Sequence, residues 1–503
     1  MSETFDAIVI GAGHNGLVAA ARLAKEVKRV VVLEATAEVG GLLGGADTVA
    51  AMPFGIHPKI ASGLGLARHG LRYGAPMKTL SFGAGVRVEI DGSVARGVAP
   101  EMAAKYAELH RKLTRYSGAL AKMLTKAPPR FRDGGLGDML TTAQLGLSIR
   151  GLGKTDMSDM LRIILSNVWD LCEDEIGDGL LAAALAMDAT LGGAMGPRSP
   201  GTVLTLLYRM ASTGSGGAGQ RSTPIGGAAA VVTALTKAAE ASGAAIRTSS
   251  PVARILVDDS DHAVAVALED GTELRAPLIL SNATPRRTLL DLLGPEHLNA
   301  EDVARLRHMA TNGMVARIDL DLAELPEGLS EADLGHRIVV AQDMWRIERA
   351  FNAAKYGELP DVPAVEFTGR KTDAGWRLAA LAQFAPCNLK GGWTKAKKDK
   401  LATATIKAME AAILGIGSKI TGWDVRSPAD LEATYGLTGG HWHHGELRID
   451  QMLMMRPFAG AAQYRIPVGG LYLCGAGAHP GGDISGLPGW NAAGQAIKDG
   501  GAT

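Results

Sequence analysis

Three histidines and a carboxylate crowd one short run near the C-terminus, His441–Glu446, with the sequence HWHHGE. Imidazoles titrate near neutral pH, and beside a carboxylate they could supply a general base or a general acid. His441, His444 and Glu446 are therefore the candidate catalytic residues. Neighbouring histidines on a loop seldom converge on a metal by themselves, so no metal site is expected. The alternative is structural, with the same histidines forming hydrogen bonds that hold the loop.

The N-terminal residues have the order of a dinucleotide-binding unit. The apolar run Asp6–Ile10 predicts a buried parallel strand, residues 11–16 form a complete GxGxxG motif, and a helix is predicted over Leu17–Glu26. A second apolar run, Val30–Leu33, predicts the next strand and ends at an acid, Glu34. This succession favours dinucleotide binding over a glycine-rich turn in another α/β fold.

Each conspicuous residue of this unit has an expected role. Gly11 permits a tight turn, Gly13 lets backbone approach a pyrophosphate, and Gly16 allows close packing of helix on strand. The pair Glu34-Ala35 is expected at the cofactor's ribose, where the carboxylate accepts a hydrogen bond from the 2′-hydroxyl. The glycine pair Gly40-Gly41 is expected to let the backbone pass close to the same cofactor.

A second glycine-rich element at the far end of the chain indicates which dinucleotide is bound. The apolar run Leu471–Cys474 predicts a strand that stops at Gly475. A loop that contains Asp483-Ile484 follows, and a helix is predicted to begin near Pro488. Such a strand delivers a loop and a helix N-terminus to an anionic or electron-rich group. A cofactor that both ends of the chain hold must be long, which points to FAD.

Composition limits the class of protein. A chain of 503 residues with 47% hydrophobic content exceeds one ordinary domain and can bury a sizeable core. Lys+Arg and Asp+Glu each number 52, and this balance argues against a nucleic-acid partner. Three cysteines without CxxC spacing fit a reducing compartment. Because neither a signal peptide nor a bilayer-spanning run is visible, a cytoplasmic location is expected, with peripheral membrane contact left open.

Five segments together resemble the phytoene desaturase-like flavoproteins, within the wider amine-oxidase and glutathione-reductase-related FAD superfamily. They are GAGHNGL at 11–17, PIGG at 224–227, SNATP at 281–285, TGGHWHHGELRIDQ at 438–451 and GLYLCGAGAHPGGDISGLPGWNAA at 470–493. The sequence looks closest to the pyridine-nucleotide-disulphide-oxidoreductase-like branch. The resemblance covers most of the chain, and the C-terminal segment is the most specific part of it.

The resemblance implies an α/β fold in two parts. A discontinuous Rossmann-type FAD-binding domain would comprise residues 1–75, 218–300 and 445–503. An inserted α+β substrate domain would comprise residues 76–217 and 301–444.

The resemblance also implies roles for particular residues. The strand that begins near Val252 would contact the adenine through its backbone. The helix after Asp483-Ile484 would point its N-terminus at the flavin pyrimidine ring. His444 is the preferred catalytic candidate because His-Gly is the part of its loop that resembles the family.

The expected function is that of an FAD-dependent dehydrogenase or desaturase, which takes hydride from a carbon–carbon bond of an apolar, isoprenoid-like substrate. Oxygen, a quinone or another external acceptor would reoxidise the flavin. Two alternatives stay open at this point: a reduced-flavin-dependent alkene isomerase or saturase, and a non-catalytic FAD-containing interaction protein. The Leu- and Met-rich helices of residues 133–213 could line an apolar tunnel or form ordinary core. The sequence leaves the oligomeric state open.

Overall fold

The computed structural model describes residues 3–27, 29–45, 48–49, 55–130, 135–212 and 222–500. The predicted domain boundary between residues 217 and 218 lies outside these ranges. None of the helices within them combines the length and hydropathy that crossing a bilayer requires.

The strands, in chain order, are β1 (Glu3–Thr4), β2 (Ala7–Ile10), β3 (Val30–Leu33), β4 (Tyr73–Pro76), β5 (Thr79–Gly83), β6 (Val86–Asp91), β7 (Val94–Arg96), β8 (Ser222–Pro224), β9 (Ala244–Arg247), β10 (Val252–Val257), β11 (Ala263–Leu268), β12 (Glu273–Arg275), β13 (Leu278–Ser281), β14 (Val315–Leu322), β15 (Arg337–Val340), β16 (Val365–Thr372), β17 (Gly375–Gln383), β18 (Ile420–Arg426) and β19 (Leu471–Leu473).

The α-helices are α1 (His14–Leu23), α2 (Pro58–Gly63), α3 (Pro100–Leu124), α4 (Leu136–Arg150), α5 (Lys154–Ile163), α6 (Val168–Glu175), α7 (Leu180–Thr190), α8 (Thr202–Ser212), α9 (Gly227–Ala241), α10 (Ala300–His308), α11 (Glu331–Leu334), α12 (Met344–Lys355), α13 (Lys395–Ala412), α14 (Ile416–Lys419), α15 (Pro428–Tyr435) and α16 (Leu487–Lys498).

One sheet of the molecule is parallel and has five strands, in the order β19-β13-β2-β3-β9. Strands β2, β3, β13 and β19 are buried along their whole length, which explains why they are continuous apolar runs. Helices α9 and α16 pack against α1, which covers β2 and β3. Because the strands are parallel, their carboxyl ends meet at one edge, where ligands of such sheets bind.

This parallel sheet is assembled from three separated stretches of chain, residues 7–33, 244–281 and 471–473. An antiparallel β10-β11-β12 ribbon, with β1 added in parallel to β12, lies next to it in sequence. The expectation of a discontinuous Rossmann-type domain in an α/β fold is therefore confirmed. The individual domain boundaries stay predictions.

An eight-stranded mixed sheet, in the order β18-β14-β17-β16-β15-β5-β6-β7, forms the inserted domain. Its strands come from residues 79–96 and 315–426, and its own hydrophobic core contains Leu320, Phe367 and Leu401. The helices between residues 100 and 212 contact this sheet through α7 and β5. The two sheets thus lie in different parts of the molecule, and the loops that connect them enclose the candidate site.

Helix α1 begins three residues earlier than the sequence pattern predicts, at His14 rather than Leu17. Gly13 is its N-cap residue, so the last three residues of the GxGxxG motif already belong to the helix. The N-terminal N–H groups of α1 therefore lie within the glycine motif, where they are available to an anionic group.

Candidate functional site

A cavity of about 400 Å³ lies at the carboxyl edge of the parallel sheet. That volume falls within the range typical of small-molecule sites. Of the predicted cofactor residues, the cavity wall contains Gly11, Gly13, Glu34, Ala35, Gly40, Gly41, Val252, Asp483 and Ile484. Gly16 and Gly475 lie outside the wall, and so do His441 and Glu446, whereas His444 is part of it.

Glu34 lies on the cavity wall, and its side chain is held in a fixed orientation. Its Oε2 accepts a hydrogen bond of 2.7 Å from the backbone N–H of Ala12. Its Oε1 accepts bonds of 3.0 and 2.9 Å from the backbone N–H and the hydroxyl of Thr36. The acid at the end of β3 is therefore tied to the glycine loop after β2, and Val252 lies on the wall of the same cavity.

The glycine loop is packed so closely that side chains at its key positions would collide with neighbouring atoms. A Cβ at Gly13 would lie 2.7 Å from the Nδ2 atom of Asn282, and one at Gly16 would lie 2.0 Å from the carbonyl oxygen of Gly11. The backbone N–H of Gly40 donates to the carbonyl of Ala12 at 2.9 Å. The absence of a side chain at Gly16 thus lets α1 pack closely against the glycine loop. The absence of a side chain at Gly13 keeps the cavity open there.

A polar group of the cavity wall is centred on Asp483. The Oδ2 atom of Asp483 accepts a hydrogen bond of 2.9 Å from Ser212. Its Oδ1 atom lies 3.7 Å from the Nε of Arg209 and 3.9 Å from the Nε2 of His443. Arg209 comes from α8 in the helical insertion, so the two parts of the molecule meet at this carboxylate.

Two histidines of the cavity wall stay neutral at physiological pH. Burial lowers the pKa of His444 to about 3 and that of His14 to about 4. His14 hydrogen-bonds to the backbone of Asp483, whereas its Nε2 and the Nδ1 of His444 have no hydrogen-bond partner in the described part of the chain. These buried nitrogens are available to a bound group.

His441 and Glu446 form a buried pair behind the cavity wall. The Nε2 of His441 lies 3.4 Å from the Oε1 of Glu446, and both side chains are almost completely buried. The carboxylate also accepts the backbone N–H of Ala194, which belongs to the loop after α7. The pair therefore joins the histidine loop to the helical insertion.

Arg456 holds the histidine loop through hydrogen bonds to backbone carbonyl oxygens. Its side chain is completely buried and forms no ion pair with any described residue. Its guanidinium donates to the carbonyl oxygens of His443, Glu446, Gln451 and Ala476. Burial lowers its pKa to about 10, so it remains a cation at neutral pH. It places a fixed positive charge behind His444.

Only part of the C-terminal strand, loop and helix reaches the cavity wall. A Cβ at Gly475 would lie 2.7 Å from the carbonyl oxygen of Asn282, so this glycine lets β19 and the loop after β13 pack together. Asp483 and Ile484 reach the cavity wall, and helix α16 begins three residues later, at Leu487. The predicted helix start near Pro488 is thus one residue late.

Several residues of the cavity were not identified from the sequence pattern. They are His14, Asn282, Arg209, Glu366 and Trp442. His14 lies within the GxGxxG motif and Asn282 lies within the SNATP segment, so these motifs could have identified both residues. Arg209 and Glu366 lie within ordinary helix and strand patterns, and no local signal distinguishes them.

The donor set of the cavity fits FAD. A fixed carboxylate stands at the end of β3, a glycine loop with no room for a side chain follows β2, and the neutral His444 and Asp483 lie on the same cavity wall. Glu34 suits a ribose hydroxyl and the N-terminus of α1 suits a pyrophosphate. The buried nitrogens of His14, His444 and Trp442, which have no hydrogen-bond partner among the described residues, suit the polar rim of a ring system.

Comparisons with known proteins support a dinucleotide-binding fold. A model of the NAD(P)-binding Rossmann-like domain matches residues 9–53. A rat pyridine nucleotide-disulfide oxidoreductase domain-containing protein 2 is 29% identical over 99% of this chain and 94% of the relative. The neurosporene-forming phytoene desaturase of Rhodobacter capsulatus is 28% identical over 52% of this chain and 50% of its own. The chain is thus similar over nearly its whole length to a protein named as an oxidoreductase.

The fold of nearly the whole chain is similar to that of a solved structure. Cyclohexylamine oxidase from Brevibacterium oxydans superimposes with a TM-score of 0.58 at 17% identity, covering 98% of this chain and 99% of the other. This likeness supports the Rossmann-type α/β fold that the sequence motifs predict.

Proposed function

We propose that the protein is an FAD-dependent dehydrogenase or desaturase that acts on a carbon–carbon bond of an apolar, isoprenoid-like substrate. The observation that carries the proposal is one cavity whose wall contains both Glu34 and the group of Asp483, His443 and His444. FAD, when bound, would accept a hydride. The chain's own residues would bind it, orient it and exclude water.

The walls of the cavity favour an apolar substrate. Leu191 and Leu381 reach it from the inserted domain, and Val49 and Leu437 line it as well. Glu366 is the acid of this region, and its carboxylate is bound by the buried Arg337 at 2.8 Å. An apolar molecule with few polar groups therefore matches the lining, because the charges at its edge are already compensated.

His444 is the proposed hydrogen-bonding partner of the substrate. Its imidazole is neutral because burial depresses its pKa, and its Nδ1 is without a hydrogen bond to any described residue. His441 and Glu446 are proposed to hold the loop of His444 in place, because they contact each other and the insertion rather than the cavity.

The test is an anaerobic titration of the purified, flavin-loaded protein with candidate alkanes, alkenes, amines and alcohols while the flavin absorbance is followed. Bleaching with an alkane or alkene supports dehydrogenation of a carbon–carbon bond. Bleaching only with amines or alcohols contradicts the substrate class. Turnover without net bleaching, after prior reduction, would identify an isomerase. A protein that holds FAD and responds to none of them would contradict a catalytic role.

A further inference from the structure

Helix α4 is rich in apolar residues, yet none of its fifteen residues is buried. Leu136 is 80% exposed, Leu140 63% and Leu147 67%. Together with the exposed Ala143 they follow each other at spacings of four, three and four residues, so they lie on one face of the helix. We call Leu136, Met139, Leu140, Ala143 and Leu147 the apolar stripe.

The next helix extends this exposed apolar surface. Leu161 of α5 is 57% exposed and Leu165 just beyond it is 56% exposed, and α5 contacts α4. Exposed large apolar side chains normally occur singly on a protein surface, whereas a cluster marks an interaction surface. The surface of α4 and α5 is therefore built for a partner.

Helix α4 also lacks the internal stabilisation of an ordinary surface helix. It contains Gly137 and Gly146, and each interior glycine costs roughly 1 kcal/mol relative to alanine. Most helices in proteins are stabilised by packing an apolar face on the core, whereas here the apolar face points outward. Contact with a partner would supply the missing stabilisation.

Charge around the stripe is positive. Asp138, the acid of α4, is bound by the backbone N–H groups of Arg130 and Gly135 and by the amide of Gln463. At the C-terminal end of the stripe, Arg150 and Lys154 are exposed and form no ion pair with the described residues.

A third cation lies beside the stripe. Lys126 reaches the middle of α4 and donates to Gln144. The acids of α5, Asp156 and Asp159, are already paired with basic residues of α3 and α5. The outward face is therefore apolar with a basic rim.

We propose that α4 docks on the surface of an anionic lipid bilayer. The apolar stripe would enter the boundary between head groups and acyl chains, and Lys126, Arg150 and Lys154 would meet lipid phosphates. A second copy of the chain is a poorer occupant. In a two-fold dimer the partner helix would present the same apolar stripe and basic rim, so the uncompensated cations would gain no anionic partner. This inference does not rest on the proposed function.

The test is co-flotation of the full-length flavoprotein with vesicles of phosphatidylcholine alone and of phosphatidylcholine with phosphatidylglycerol. We expect binding to the anionic vesicles, with a gain in helical circular dichroism. Leu140→Gln with Leu147→Gln should lower the partition coefficient about tenfold or more, because two leucines lose apolar burial. Leu414→Gln is the matched control, since Leu414 is 71% exposed and lies outside α4 and α5, and it should leave binding unchanged.

Charge is tested separately with Arg150→Gln and Lys154→Gln. Each should weaken binding to anionic vesicles roughly fivefold, and added salt should act in the same direction. Unchanged flavin content and melting temperature would show that the variants are folded. Absence of vesicle binding by the wild type would overturn the proposal. So would a wild-type dimer in light scattering that the Leu140, Leu147 variant converts to a monomer.

Discussion

The carboxylate of Glu34 accepts a 2.7 Å hydrogen bond from the backbone N–H of Ala12, inside the glycine motif. The acid that ends one strand therefore fixes the loop that follows the neighbouring strand. Thr36 holds the second carboxylate oxygen, so the side chain has one orientation. The expected ribose acceptor and the expected pyrophosphate loop thus form one structural unit.

Removal of this carboxylate should weaken FAD binding. Glu34→Ala would remove a charged hydrogen-bond acceptor from both the glycine loop and the ribose, so we expect a Kd for FAD that is roughly tenfold to a hundredfold higher. Equilibrium titration of the apoprotein with FAD measures the change. Glu38→Ala is the control, because Glu38 is exposed and lies only four residues away. Equal affinities of the two variants would contradict the role of Glu34.

A side chain at Gly13 should expel the cofactor. A Cβ there would already lie 2.7 Å from the Nδ2 atom of Asn282, and the branched side chain of Gly13→Val would fill the floor of the cavity. We expect protein that purifies without flavin absorbance. Gly118→Ala in α3 is the control, because a Cβ there meets nothing within 4 Å and should retain flavin. A Gly13→Val protein that kept its flavin would refute the cofactor assignment.

Loss of His444 should slow reduction of the flavin. Preorganised hydrogen-bonding groups in a buried site typically contribute about 10²–10³-fold, so His444→Gln, which misplaces this group, is expected to lower the rate of anaerobic reduction by about 100-fold with flavin content unchanged. Stopped-flow absorbance with an active substrate measures this rate. The exposed His308, changed to Gln, serves as the control. A wild-type rate in His444→Gln would leave the histidine a structural role only.

Acidification should destabilise the protein before its carboxylates titrate. Burial lowers the pKa of His14 and His479 to about 4, and that of His444 to about 3, from the ordinary 6.5. Below pH 6.5 the unfolded chain therefore binds protons that the folded chain does not. Stability is complete above that pH and is lost as the pH falls towards 4, by up to about 1.4 kcal/mol per pH unit for each histidine.

Urea unfolding between pH 7 and pH 5 measures this dependence, since carboxylates contribute little in that range. His479→Gln should reduce the slope by one histidine's share, whereas His308→Gln, at an exposed position, should leave it unchanged. A stability that did not vary over this range would contradict the depressed pKa values.

Removal of Arg337 should destabilise the inserted domain strongly. Arg337 is 1% exposed and pairs with Glu366 at 2.8 Å and Asp188 at 3.2 Å. Arg337→Met would leave a buried carboxylate uncompensated, so we expect a loss of about 3–5 kcal/mol in the free energy of unfolding. Lys390→Met breaks an exposed pair with Glu358 and should cost less than about 1 kcal/mol. Chemical denaturation compares them, and equal losses would contradict the argument.

The sequence by itself determined the parts of the site that are local in the chain. Strand, glycine loop, helix, strand and acid follow one another within the first 34 residues, so short-range geometry fixes their arrangement. The C-terminal strand, loop and helix are equally contiguous, which is why Asp483 and Ile484 could be predicted near the cavity. Even there the helix start at His14 was missed, because the glycine motif extends into the helix.

Only the tertiary structure decided which distant residues join this unit. Arg209 meets Asp483 across 274 positions of sequence, and Asn282 closes the floor beneath Gly13. It also separated His444, on the cavity wall, from His441 and Glu446 behind it. It turned the apolar residues of α4 outward, where a pattern of leucines alone would have predicted core. Such contacts depend on how the two sheets and the helical insertion pack. The local spacing of residues in the sequence does not indicate that packing.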